Sequence, residues 1–222
     1  RLYAIGGSAP DSAVNEEYDP GVATKFTGLT PNTLYSFKTQ ARNQAGTLSP
    51  ETASLSTYTW AAAPSAASPV FTVGAADSAT FQWGENGNPA GTQYRARMST
   101  AASFGSGAAV LTTGWDAMTS TAVASLSANT TYYVQVQARN AVFIETPYVT
   151  LGSTSTLAAV PVSIASTFSA VGLTALTVQW GASANPLSIT TYTVLLSTAS
   201  DFNVAASSMS LSTRPAATPS AT

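Results

Sequence analysis

The sequence predicts an all-β protein of antiparallel β-sandwiches in tandem, and three observations carry that prediction. A stretch that begins at Leu29 returns in closely similar form at Leu126, 97 residues (126 − 29) further along the chain. Apolar side chains recur at every second residue, which is typical of strands with one buried face. No apolar stripe with helical spacing runs for a useful length. A repeat of about 100 residues built of short strands has the size of one sandwich.

The strands that repeat with this period define the predicted core. Residues 79–83 alternate apolar and polar side chains and end at Trp83, and residues 176–180 do the same and end at Trp180. A further strand opens at a tyrosine shortly after each. Side chains at these repeated positions are predicted to be buried between the sheets. The predicted structural core residues are Trp83, Trp180, Tyr35, Tyr132, Tyr94, Tyr192, Leu29 and Leu126.

The repeated stretch resembles the fibronectin type III family, whose pattern runs Leu-x-Pro-x-Thr-x-Tyr-x-Val-x-Val-x-Ala-x-Asn. The matching residues are Leu29, Pro31, Thr33, Tyr35, Phe37, Ala41 and Asn43 in one copy, and Leu126, Thr130, Tyr132, Val134, Val136, Ala138 and Asn140 in the other. The resemblance implies immunoglobulin-like sandwiches in which Tyr35 and Tyr132 form tyrosine corners, with hydroxyls that bond back to the backbone. The Ser-Thr-Ala-rich style is similar to tandem repeats of bacterial secreted or surface proteins.

The period divides the chain into three predicted modules. Residues 62–158 form a complete fibronectin type III-like module, residues 1–61 a partial one without its first two strands, and residues 159–222 a partial one without its last strands. Residues 1–5 are predicted to be the third strand of the first module. Either the chain is a window from a longer repeat protein, or its two partial ends complete each other between copies in a head-to-tail fibre. The links between modules are short and contain proline, which predicts a restrained orientation.

The composition excludes several classes of function. The chain has no cysteine and no histidine, so disulfides, thiol catalysis, histidine-based triads and Cys- or His-ligated zinc are excluded. The net charge is −2 with no basic run, which argues against nucleic acid as a partner. No apolar run approaches the roughly 20 residues of a membrane helix, so membrane insertion is not expected.

Catalysis, cofactors and metals are not expected either. The carboxylates lie singly in predicted turns and do not recur at matching positions of the repeat, whereas glycoside hydrolysis needs a facing pair. Residues 11–19 hold the one acidic cluster. It offers oxygen ligands to Ca²⁺ but lacks the spacing of a calcium loop, so a solvated loop is the favoured interpretation.

Four aromatic residues lie outside the repeated core pattern, near loops or links between modules: Trp60, Trp115, Phe143 and Tyr148. Such rings can stack on sugars, which is one interpretation. Packing at the links between successive modules is the other, and it is the favoured one. Trp60 immediately precedes the Ala-Ala-Ala-Pro link, where a neighbour could cover it.

These observations predict a non-catalytic segment of an extracellular or cell-surface protein, acting as a structural or adhesive spacer or as a fibre-forming array. Its partners would be neighbouring modules of the same chain or copies of itself. The alternative is a carbohydrate- or protein-binding accessory module of a secreted protein or polysaccharide-degrading enzyme. Glycans or surface proteins would then bind at Trp115, Phe143 or Tyr148.

Overall fold

The computed structural model describes residues 24–104, 109–198, 202, 208–213 and 220–221, and strands are the only regular elements found there. The strand predicted at residues 1–5 and the acidic cluster at residues 11–19 lie outside these residues. The strands are β1 (Leu34–Phe37), β2 (Leu55–Tyr58), β3 (Ser65–Thr72), β4 (Ala79–Gly84), β5 (Gln93–Ser99), β6 (Ala109–Thr112), β7 (Ser120–Val123), β8 (Thr131–Arg139), β9 (Val149–Ser155), β10 (Phe168–Val171), β11 (Leu176–Gln179), β12 (Tyr192–Ser197), β13 (Ser208–Thr213) and β14 (Ser220–Ala221).

Strands β3 to β9 form one complete sandwich. One sheet has the order β3-β4-β7 and the other the order β6-β5-β8-β9, with antiparallel pairing throughout. Because successive side chains of a strand point to opposite faces, the alternation in β4 and β8 places every second residue between the sheets. The buried side chains are Ala79, Phe81, Trp83, Tyr94, Ala96, Met98, Val123, Leu126, Tyr132, Val134, Val136, Ala138 and Leu151. The fold class is all-β, as predicted.

The flanking strands reproduce parts of this topology. Strands β1 and β2 pair as β8 and β9 do, and β11 pairs with β14 as β4 pairs with β7. Strand β12 likewise pairs with β13 as β5 pairs with β6. Strand β1 ends at Phe37, whereas its counterpart β8 continues to Arg139. Within the described part of the chain β1 has a partner on one side only, whereas β8 has one on both.

Most of the predicted core residues are buried or half-buried, and one is not. The buried ones are Trp83, Tyr94, Leu126, Tyr132 and Tyr192. Trp180 and Tyr35 are half-buried, and Leu29 is 42% exposed, which corrects its prediction as a core residue. The reason lies in the packing: Leu126 belongs to a core that β4 helps to build, whereas β1 and β2 contact mainly each other among the described residues.

Both tyrosine corners have the hydrogen bond that the resemblance implies. The backbone N–H of Thr30 donates to the hydroxyl of Tyr35 over 2.9 Å, and the N–H of Ser127 donates to the hydroxyl of Tyr132 over the same distance. Each bond ties a tyrosine near the start of β1 or β8 to the loop residue five positions upstream. The loop that leads into the strand is therefore held in the same place in both copies.

Burial raises the pKa of the Tyr94 phenol above its usual 10.0. The folded state therefore holds this proton more tightly than the unfolded chain. This contribution to stability is fully present below about pH 10 and is lost as the pH rises through the folded pKa. Urea unfolding across alkaline pH should show this loss, and Tyr94→Phe should show less of it. An identical pH profile in the variant would contradict the assignment.

Candidate functional site

Two asparagines at matching positions attach each link to the sandwich that follows it. The side chain of Asn88 accepts from the N–H of Ala62 over 2.7 Å and donates to its carbonyl over 2.8 Å. Asn185 makes the same pair of bonds with Ala159, both of 2.7 Å. Both asparagines are buried. A side-chain amide carries both an acceptor and a donor, so each asparagine pairs with a backbone N–H and carbonyl as a neighbouring strand would.

A second pair of asparagines crosses the links. We call the region around the link from β2 to β3 the first junction, and the region around the link from β9 to β10 the second. At the first, the Asn32 amide donates to the hydroxyl of Thr92 over 2.9 Å. At the second, Asn129 donates to Thr190 over the same distance. Both threonines are buried, and each donates its own proton to a proline carbonyl three or four residues upstream, at 2.7 Å. The receiving hydroxyls are therefore held in one orientation.

The first junction has two more polar contacts and no aromatic packing by Trp60. The N–H of Ala141 donates to the side-chain oxygen of Asn32 over 2.8 Å, and the Asn140 amide donates to the carbonyl of Thr59 over 3.2 Å. Trp60 is 73% exposed, so the expectation that a neighbour covers it is wrong. The junction is held by hydrogen bonds instead.

The outer face of the sheet β6-β5-β8-β9 carries three arginines. Arg95 and Arg97 alternate on β5, and Arg139 ends β8. The register places a glutamine directly opposite each of them: Gln137 opposite Arg95, Gln135 opposite Arg97 and Gln93 opposite Arg139. Like charges therefore do not face each other directly, which would be destabilising. Two of these cross-strand pairs are hydrogen bonded, Arg97 to Gln135 and Arg139 to Gln93.

Four aromatic rings contact these guanidinium groups. The ring of Trp115 has Arg95 at 4.6 Å and Arg139 at 4.5 Å, measured from the guanidinium carbon to the ring centroid. The other contacts are Arg97 with Tyr148 at 3.8 Å, Arg97 with Phe104 at 4.8 Å and Arg139 with Phe143 at 4.7 Å. Each distance is within the range of cation–π attraction. We call these three arginines and four rings the arginine–aromatic face.

The face carries an excess of positive charge. Glu145 pairs with Arg95 over 3.3 Å and also accepts from Gln137. Within the described residues, Arg97 and Arg139 make no ion pair with a carboxylate. In a chain of which only 8% is charged, two uncompensated guanidinium groups on one sheet face are the main concentration of positive charge among the described residues.

The turn that carries Phe143 requires a left-handed backbone conformation at residue 143, which disfavours phenylalanine. Asn140 and Ile144 close this turn, and Phe143 has a φ of +66°. In the first repeat the same turn has the same hydrogen bonds, but Gly46 occupies the position with a φ of +88°. A bulky residue in the left-handed region costs on the order of 1–3 kcal/mol, and glycine does not. Phe143 is also 67% exposed, so the core does not require the ring.

A cleft of about 220 Å³ lies where the arginine–aromatic face meets the first junction. Its lining includes Asn32 from the preceding repeat and Gln93, Arg139 and Phe143 from the complete sandwich. Pockets that bury a whole small ligand usually have about 300–1,000 Å³. This cleft therefore suits one group of a longer molecule.

Most of the arginine–aromatic face belongs to the complete sandwich alone, whereas the junction contacts repeat. Two of its seven members recur, since Arg42 aligns with Arg139 and Phe202 aligns with Phe104. Four other aligned positions carry other residue types: Thr193 for Arg95, Leu195 for Arg97, Gly46 for Phe143 and Glu51 for Tyr148. Features that a fold needs should recur with the period. Most of this face does not recur, so the fold does not demand it as a set.

The three residues predicted as ligand contacts come together on this face. Trp115 is half-buried beneath two arginines, Tyr148 is half-buried beneath Arg97, and Phe143 is the exposed one. A sugar could stack on Trp115 only by displacing a guanidinium group. Their role in binding stays a prediction. The arginines were not predicted as site residues, although the alternation of Arg95 and Arg97 on a predicted strand is visible in the sequence.

No group of three or more His, Cys, Asp or Glu that could hold a metal ion is found in the part of the chain that the structure describes. These residues also contain no helix that is long and apolar enough to cross a membrane.

Comparisons with known proteins found likenesses among solved structures only. No protein-family model and no curated protein matches the chain. It is similar to the crystal structure of chicken CNTN1 FN1–FN3 domains, with 22% identity and a TM-score of 0.33, over 60% of this chain and 46% of that chain. It is also similar to the rat CD45 extracellular region, domains d3–d4, with 15% identity and a TM-score of 0.39, over 70% and 82% of the two chains. Likeness at these levels concerns the fold alone.

Proposed function

We propose that the chain is a non-catalytic part of an extracellular or cell-surface protein, in which tandem sandwiches act as a spacer of fixed geometry. The single observation that carries this proposal is the repeated bond across the junctions, from Asn32 to Thr92 and from Asn129 to Thr190. Because the same polar contact recurs at the same register, each repeat would meet the next at a similar angle. The cysteine-free, charge-poor and hydroxyl-rich composition supports export, and the Ser-Thr-Ala-rich repeats support a bacterial source.

The partners named by this proposal are the neighbouring modules 1–61, 62–158 and 159–222 of the same chain. Assembly with copies of itself, as an adhesive or filamentous array, is the variant that we also consider. Strand β12 would then pair with β1 of another copy, as β5 pairs with β8. A molar mass that rises with protein concentration would distinguish this variant from a spacer.

Spin-label distances across the first junction test the fixed geometry. The chain has no cysteine, so Thr57→Cys on β2 and Thr80→Cys on β4 give two defined labels on exposed sites. We expect one narrow distance distribution, which broadens on Asn32→Gly. Glycine keeps the φ of +44° accessible at this position but removes both junction bonds of the amide.

Ser125→Gly is the matched control, because Ser125 also has a positive φ but lies in the loop before β8, away from these bonds. It should leave the distribution narrow. A broad distribution in the parent chain, or no broadening on Asn32→Gly, would refute a junction held by these contacts.

A second candidate function is binding of a glycan or a surface protein by the complete sandwich. The observation that favours it is that most of the arginine–aromatic face, including Arg95, Arg97 and Phe143, is confined to one repeat. Binding and spacing are compatible, because the junction bonds and this face use different side chains of the sandwich.

A further inference from the structure

We propose that the arginine–aromatic face binds an acidic polysaccharide, with sugar carboxylates on Arg97 and Arg139 and one sugar ring in the cleft beside Phe143. This proposal deepens the second candidate function and does not depend on the spacer role. It rests on three properties of the face: its uncompensated charge, its position within the sheet and the strained turn that presents Phe143.

The charge of the face fits an anion with several carboxylates. Arg97 and Arg139 make no ion pair in the described part of the chain, and a guanidinium group can hold a carboxylate with two parallel hydrogen bonds. Arg139 lies opposite Gln93, and Gln93 precedes Arg97 by four residues on β5. At about 3.3 Å per residue, the two arginines stand roughly 13 Å apart along the strand. A ligand that reaches both must be an extended chain.

The position of the face favours a saccharide over an acidic peptide. An extended peptide usually binds by adding a strand to an open sheet edge. Strands β5 and β8 are the two central strands of their sheet, so their backbone groups are paired on both sides and the face offers side chains only. Amides, guanidinium groups and an exposed ring together suit a ligand with hydroxyls, carboxylates and an apolar ring face.

The strained turn indicates that Phe143 is retained for something other than folding. Gly46 forms the same turn in the first repeat without strain, and the Phe143 ring contacts Arg139 at the mouth of the cleft. Backbone strain of this kind concentrates at binding sites, where the surrounding structure holds it in place. The Phe143 ring would orient the Arg139 guanidinium group for a carboxylate through one face, and its other face would contact a sugar ring.

Binding of polygalacturonate to the full chain tests the proposal, with dextran as the neutral polysaccharide and polyglutamate as the acidic peptide. We expect polygalacturonate to bind, more weakly as salt is raised, and the other two to bind at least about 10-fold more weakly. Phe143→Gly should weaken polygalacturonate binding about 10-fold and should not lower the unfolding midpoint, because glycine relieves the strain of this turn. Arg97→Gln and Arg139→Gln should each weaken it and reduce its salt dependence.

Phe168→Ala is the matched control, because that ring is 63% exposed on β10, in the following repeat. Its binding should equal that of the parent chain. The proposal is overturned if polygalacturonate does not bind, if dextran or polyglutamate binds equally well, or if Phe143→Gly binds like the parent. None of these results would change the spin-label distances across the junction, so failure here is distinguishable from failure of the spacer role.

Discussion

Replacing Trp83 by alanine is expected to lower the free energy of unfolding of the complete sandwich by about 3–5 kcal/mol. Trp83 is 6% exposed and lies between the rings of Phe81 and Tyr94, with centroids at 6.3 Å and 6.0 Å. Its removal leaves a cavity between the two sheets. The sheets cannot close this cavity without disturbing the pairing of β4 or β5 with the neighbouring strands of its own sheet. Urea unfolding of the full chain, followed by far-ultraviolet circular dichroism, measures the loss.

Trp180→Ala is the informative comparison, because Trp180 occupies the same position in the next repeat. It is half-buried and contacts Tyr192 with ring centroids 5.6 Å apart. Because Trp180 buries less apolar surface than Trp83, we expect its replacement to lower the free energy of unfolding clearly less than Trp83→Ala does. Equal losses would mean that Trp83 does not lie in a more complete core than Trp180.

Replacing Asn88 by alanine is expected to cost about 1–3 kcal/mol. Its amide satisfies the N–H and the carbonyl of Ala62 and also donates to the carbonyl of Glu85 over 2.8 Å. Alanine would leave the N–H and the carbonyl of the half-buried Ala62 without this partner, whereas the Glu85 carbonyl would keep its bond from the backbone N–H of residue 88. Asn88→Asp should be harmful too, since a carboxylate accepts from the N–H but faces two carbonyl oxygens.

Gln82→Ala is the control for this loss, because the Gln82 amide makes one exposed hydrogen bond, to the carbonyl of Pro69. Its effect should stay within about 0.5 kcal/mol, as for most surface substitutions. The thermal midpoints of the three variants give the comparison. If Asn88→Ala were as mild as Gln82→Ala, the asparagine would not be what attaches the link to the sandwich.

The core strands were predictable because their signal is local. Alternation in residues 79–83 requires only that one face be buried, and the repeat supplied a second copy of the pattern. The tyrosine corners followed from the resemblance, since Tyr132 stands at a fixed offset within its pattern. The short strands β6, β7, β13 and β14 were missed, because they have only two to six residues each, too few for a period to stand out.

The functional surfaces were less predictable, because they depend on register and on neighbours far along the chain. Trp60 looked like a junction residue by its position, yet the junction is held by Asn32 and Thr92, which are 60 residues apart in sequence. Both belong to repeated segments, so the period marked them, but only the fold brings them into contact.

The sequence by itself determined the all-β class, the period of the repeat and most of the buried face, because burial alternates locally along each strand. The tertiary structure decided which polar residues meet. Strand register sets Gln93 opposite Arg139, and a one-residue slip would turn either side chain to the other face of the sheet. It also revealed that Phe143 occupies a turn position that favours glycine. Such facts arise from cross-strand distances and backbone angles, which the order of residues alone does not record.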